Sequence, residues 1–128
     1  MSKPNLEAFK NSLESLEKAL VPPPANDRER DGAIQRFEYT IETAWKTGQK
    51  ILKDIGIASS SPKSVVRDLA QQGFIDAPEE WLEFIECRNE TAHIYNEKTA
   101  ARVFLRIAPF FAAARKLLSK FENHVARP

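Results

Sequence analysis

A chain of 128 residues is long enough to bury roughly two-thirds of its unfolded surface without staples, so one domain spanning residues 1–128 is expected. Four glycines leave little room for the turns of a strand-rich fold, and a single cysteine with two histidines, at 93 and 124, excludes a disulfide framework and makes no zinc site. The net charge of +1 is unevenly spread: residues 98–128 carry seven Lys/Arg against one acid, Glu122, so the basic part of the chain is its C-terminal quarter.

No apolar leader follows Met1 and no run of about 18 uncharged apolar residues occurs, which predicts a cytoplasmic protein without a membrane span. Over residues 5–21, Leu6, Phe9, Leu13, Leu16 and Leu20 recur three or four apart, the stripe of an amphipathic helix. Pro22-Pro23-Pro24 cannot continue it, because proline lacks the N–H and keeps its predecessor out of the helical region. Asp27 is the expected N-cap of the longest periodic segment, residues 28–55, in which Ile34, Phe37, Ile41, Ala44, Trp45, Ile51 and Leu52 form the apolar side. Gly56 closes that helix. Ser61-Pro62 then opens a short one with Val65, Val66 and Leu69 inward, ending at Gly73.

Asp76-Ala77-Pro78-Glu79 reads as a capping box, with Asp76 at the cap. In the helix it starts, Trp81, Phe84, Ile85, Arg88, Ala92 and Tyr95 share one stripe. Asn96 caps a last helix whose broad face includes Val103, Phe104, Ile107, Phe110, Phe111, Leu117 and Phe121. Four long amphipathic helices and one short one, joined by short loops, predict an all-α fold: an antiparallel up-and-down four-helix bundle with an extra short helix. The surplus width of the last apolar face predicts a two-fold dimer. Cys87 and Trp45 read as core.

Usable chemistry concentrates in Arg88-Asn89-Glu90-Thr91-Ala92-His93-Ile94-Tyr95. Histidine titrates near physiological pH and arginine is a fixed cation, so the pair is equipment for acid-base attack on a phosphodiester. In RNA the neighbouring 2′-hydroxyl is already the nucleophile, and a protein need only move protons and stabilise the anionic phosphorane. Against this stands a capping and salt-bridge role for both residues. On a continuous helix, moreover, a five-residue separation sets Arg88 and His93 about 140° apart, so a helix end or a second chain is required for them to meet.

The same eight residues resemble the motif of HEPN domains in which four to six residues separate Arg from His, in the variant ending His-x-Tyr. The segment from Asp31 to Lys46 resembles the long-helix signature of one HEPN branch, the nucleotidyltransferase substrate-binding proteins. The resemblance covers most of the chain. It implies a helical bundle that dimerises, so that two copies of the motif share one cleft. It also implies a metal-independent, cofactor-free ribonuclease toxin, acting on a cellular RNA such as tRNA and neutralised by a cognate minimal nucleotidyltransferase that transfers AMP to the motif tyrosine. By that resemblance Arg88 and His93 are catalytic, Asn89 orients the site and Tyr95 is the acceptor. The alternative within the family is a non-catalytic subunit that binds substrate or nucleotide for the nucleotidyltransferase; a purely structural dimer is a third reading.

Gln35, Glu38, Glu42 and Lys46 follow helical steps beside the apolar stripe, either as a polar network holding the motif helix or as a solvated face. Arg102 and Arg106, one turn apart, with Lys116 and Lys120, form either a basic track for RNA or an acidic partner, or a solvated face. Lys46 joins Arg102 and Arg106 as an RNA-contact candidate. His124 receives no role.

Overall fold

The structure is a computed structural model that describes residues 3–127. Five helices follow in order: α1 (Glu7–Leu20), α2 (Asp27–Asp54), α3 (Pro62–Gln71), α4 (Pro78–Glu90) and α5 (Glu97–Ala126), with one 3-10 turn, Thr91–His93, between the last two. This is the expected all-α bundle with an extra short helix. The run of cross-helix pairs gives its directions. Arg30–Glu97, Phe37–Phe110 and Asp54–His124 rise together along α2 and α5, which are therefore parallel. Phe9–Phe121 and Glu17–Arg115 set α1 against α5, and Glu90–Arg102 with Asp76–Lys120 do the same for α4. The α2–α5 pair is the spine. Among the described residues no Cα of α1 comes within 8 Å of one of α4, and both helices pack against that pair.

The predicted stripes form the core. Phe9, Leu13 and Leu16 of α1 are buried, and in α2 so are Ile34, Phe37, Ile41, Ala44, Ile51 and Leu52. Phe110 is the junction: its ring lies edge-on to Phe37 at 5.0 Å, Phe84 at 5.4 Å and Trp81 at 5.6 Å, uniting three helices. Each such pair adds about 0.5–1.5 kcal/mol beyond the area it buries.

Both predicted glycine stops occur, and for one reason. Gly56 and Gly73 take φ of 87° and 85°, and each ends its helix in a Schellman motif: Ile57 N–H reaches Leu52 O at 2.8 Å, and Phe74 N–H reaches Leu69 O at 2.9 Å. Ser61 caps α3 and Asn96 caps α5 as expected, whereas two other opening caps differ from the expectation. Asn26, not Asp27, caps α2, its Oδ1 accepting from Glu29 N–H at 2.9 Å. Asp76 does not cap α4, whose first residue follows Ala77 without a side-chain cap. The Asp76 carboxylate turns instead to Lys120 at 3.1 Å and Lys116 at 3.7 Å, and the Lys120 ammonium, assisted by Lys116, holds it below the usual carboxylate range. A local cap competed with two cations on a neighbouring helix, and the cations prevailed.

At the other end of the spine, Arg30 joins the start of α2 to the first residue of α5 through Glu97. The guanidinium holds the Glu97 carboxyl below its ordinary range, and its own proton is held the more tightly.

Candidate functional site

The motif residues lie where α4 ends against α2 and α5. Arg88 occupies the last turn of α4, at the end of the stripe formed by Trp81, Phe84 and Ile85. That position leaves its side chain about one-third exposed. Its Nη2 stands 2.9 Å from Oε1 of Glu42 in the middle of α2, while Lys46 Nζ approaches the other oxygen of the same carboxylate at 3.6 Å. Arg88 Nε is buried and has no hydrogen-bond partner among the described residues, and the same is true of Trp45 Nε1 on α2. The even choice posed for the α2 polar stripe therefore resolves by residue. Glu42 is half-buried and joins Arg88 and Lys46, whereas Gln35 is exposed to solvent.

The chain does not continue as one helix to Tyr95, as the stripe had predicted. Thr91 stops it: its N–H closes a short three-residue bond on Arg88 O, and its Oγ1 donates to the same carbonyl at 2.7 Å. Thr91 is buried and Ile94 half-buried, spaced by the three-residue period of the 3-10 turn, so these two anchor it. Ala92, His93 and Tyr95 are left facing outward. Asn96 then caps α5, its Oδ1 accepting from Lys98 N–H at 3.0 Å and Thr99 N–H at 3.2 Å. Tyr95, expected on the buried stripe, is 83% exposed.

The 140° separation thus does not apply, because no continuous helix joins Arg88 to His93. What the break brings together is His93 and Tyr95. Tyr95 Oη lies 3.4 Å from His93 Nδ1, at the long end for a hydrogen bond, and the rings meet edge-on with centroids 5.9 Å apart. Among the described residues Arg88 and His93 share no hydrogen bond; the guanidinium is engaged with Glu42. Asn89 is exposed beside them.

Among the other candidates, Arg102 pairs with Glu90, its Nε donating to Oε2 at 3.1 Å, and Arg106 approaches Glu83 at 4.0 Å. The α5 arginines therefore face acids of α4, and Lys116 and Lys120 face Asp76. Cys87 is buried next to Arg88 in sequence; burial, with some help from Glu90, pushes its thiol up to about 11, so it is no nucleophile at neutral pH. His124, which the sequence left without a role, binds Asp54 at 2.9 Å and packs edge-on to Phe74, tying the ends of α2 and α5. Glu42 fulfils one of the two expectations for the α2 polar stripe, a polar group that holds the motif helix. Its signal was the Glu42–Lys46 step of four on the α2 face that meets α4.

Comparison with known proteins agrees with this architecture. The family described as "Nucleotidyltransferase substrate binding protein like" matches residues 4–123. A "Probable ribonuclease HepT" of Haemophilus influenzae is 27% identical over 97 residues, 72% of this chain and 66% of that relative, so the match spans a little under two thirds of the relative's length. A solved Thermus thermophilus protein superposes with a TM-score of 0.83 at 32% identity, covering 88% of this chain and 98% of its own. A second solved structure, from Haemophilus influenzae and described as revealing the fold of a substrate binding domain of a nucleotidyltransferase, gives 0.80 at 26% identity, covering 92% and 99%. With the family matched over residues 4–123 and the helical bundle shared with both solved relatives, the chain belongs to the nucleotidyltransferase substrate-binding-protein-like family.

Proposed function

We propose that this chain is a metal-independent endoribonuclease toxin whose activity is silenced when a partner nucleotidyltransferase transfers AMP to Tyr95. The observation that supports it is the break after Glu90, which leaves an imidazole and a phenol within 3.4 Å of each other on an open surface, beyond a half-buried guanidinium. In the reaction, the 2′-hydroxyl of a nucleotide loses its proton and attacks the adjacent phosphorus; the 5′-oxygen leaves with a proton, and a 2′,3′-cyclic phosphate remains. His93 moves protons, Arg88 stabilises the charge that builds on the phosphorane, and Asn89 orients the phosphate. One imidazole serves one proton transfer at a time, so a homodimer that presents two copies completes the acid-base pair.

Silencing follows from position. The Tyr95 hydroxyl, attacking the α-phosphorus of ATP with release of pyrophosphate, acquires an anionic nucleotide beside His93, which blocks RNA by bulk and by charge. At 83% exposure the phenol is open to a second enzyme's active site.

A second reading has its own support. The guanidinium is occupied by Glu42, and one solved relative is described as a substrate binding domain; both fit a subunit that presents Tyr95 or a nucleotide without cutting RNA. Intact mass after co-expression with a nucleotidyltransferase partner tests the modification. The regulated toxin is expected to carry AMP and Tyr95→Phe none, with cleavage present only in the unmodified protein. Unchanged mass for the wild type contradicts the silencing mechanism, and AMP on a chain that never cuts RNA in either state favours the passive subunit.

A further inference from the structure

Beyond Glu42, the outward side of α2 turns basic. Lys46, Lys50 and Lys53 follow steps of four and three, which keep them on one face, about 6 Å and 4.5 Å apart along the axis. All three are exposed. Lys46 touches the Glu42 carboxylate that also holds Arg88, so the row begins at the motif. Lys50 and Lys53 differ from Arg102, Arg106, Lys116 and Lys120 of α5 in one respect: neither has a carboxylate partner among the described residues, whereas those four all face acids.

The row ends in a groove of about 670 Å³ between the last turns of α2 and the loop to α3. Lys50, Lys53, Gln49, Ile57, Ser59 and Ser60 line it. Its far wall is pinned: Gln49 Nε2 donates to Ser59 O at 2.7 Å, and the Ser59 and Ser64 hydroxyls lie 2.8 Å apart. The Ser60 hydroxyl makes no hydrogen bond among the described residues and is exposed beside the two ammonium groups.

We infer that this lysine row and the serine-lined groove at its end form a binding track for the phosphates of single-stranded RNA, leading away from Arg88. The occupant follows from charge and shape. A polyanion with evenly repeating charge matches two unpaired cations in series, continuous with a third at the motif, and a single extended strand can follow one helix face. Among the described residues Ile57 is the one sizeable apolar side chain in the wall and no aromatic ring lines it to stack a base, so recognition here is electrostatic and tolerant of sequence. The inference rests on the ribonuclease reading for the identity of the polyanion, and it adds the surface that holds the strand flanking the cut.

The test uses a fluorescein-labelled single-stranded RNA of about a dozen nucleotides with every 2′-hydroxyl methylated, so that it binds without being cut. Anisotropy titrations across a range of KCl compare the wild type, the double variant Lys50→Gln/Lys53→Gln and a control, Lys10→Gln/Lys18→Gln, which removes two exposed lysines from α1. Each single-strand phosphate contact contributes about 0.7 to the slope of log K against log salt, so the α2 variant is expected to lose about 1.4 of slope and about tenfold or more in affinity at 0.1 M salt, with the control unchanged. An equal slope in wild type and α2 variant overturns the track, as does a wild type that does not bind the RNA. So does a variant that keeps its RNA slope but loses association with the nucleotidyltransferase, which would assign the surface to an acidic protein. Cleavage of unmodified RNA by the wild type is measured in parallel. A lost slope without cleavage leaves the track standing and removes the ribonuclease, and cleavage with an unchanged slope does the reverse.

Discussion

Arg88 is held by Glu42 through one nitrogen while another, Nε, is buried without a partner. Such a group is positioned but not fully satisfied, so its carboxylate matters more than that of an exposed pair. Glu42→Ala is expected to destabilise the fold by about 1–2 kcal/mol in urea denaturation. It should also lower kcat for RNA roughly ten- to a hundredfold with little change in KM, because the guanidinium loses its aim. A loss in stability with full activity would make Glu42 a structural tie only. At this scale the sequence was informative about identity and poor about partners. Arg88, Asn89, His93 and Tyr95 stand out by residue type, but nothing in their order says that the guanidinium bonds to α2 or that the imidazole meets the phenol. The first depends on a helix packing across 46 residues of chain, between Glu42 and Arg88, and the second on where Thr91 ends α4.

The break between α4 and α5 is built from two side chains. Thr91 diverts the Arg88 carbonyl into a tighter turn, and Asn96 starts the next helix by accepting two N–H groups. Asn96→Ala is expected to destabilise the protein by about 1 kcal/mol, the usual cost of a lost N-cap, and to lower cleavage further than that loss of folded protein explains. Amide exchange would localise the change: protection should fall in the first turn of α5 and not in α2. Helix spans, both glycine stops and the Asn96 cap were legible because each depends on a few neighbouring residues. Asp27 and Asp76 were misread as caps for opposite reasons. In the first case Asn26 sat one position nearer the turn, and in the second two lysines on α5 drew the carboxylate away. The stripe through Ala92 and Tyr95 failed because periodicity measures azimuth on a helix it presumes continuous, and Thr91 ends that helix.

At the scale of the bundle, the parallel α2–α5 spine around Phe110 carries α4 against α2 and fixes where its end opens to solvent. The same arrangement explains the charge asymmetry of the sequence. The basic C-terminal quarter lies antiparallel to α4, and its cations meet Glu90, Glu83 and Asp76, so charge that reads as a free track in one dimension is largely paired in three. Lys50 and Lys53 on α2, by contrast, are exposed and have no carboxylate partner among the described residues. Among the described residues no helix is long and apolar enough to cross a membrane. The most direct measurement is digestion of labelled RNA by the purified protein in EDTA, with His93→Ala alongside and circular dichroism on both. Cleavage by the wild type to 2′,3′-cyclic phosphate ends, reduced by a factor on the order of 10²–10⁴ in a folded His93→Ala, is the predicted result. Cleavage that persists in the variant, or none by the wild type at any concentration, would contradict it.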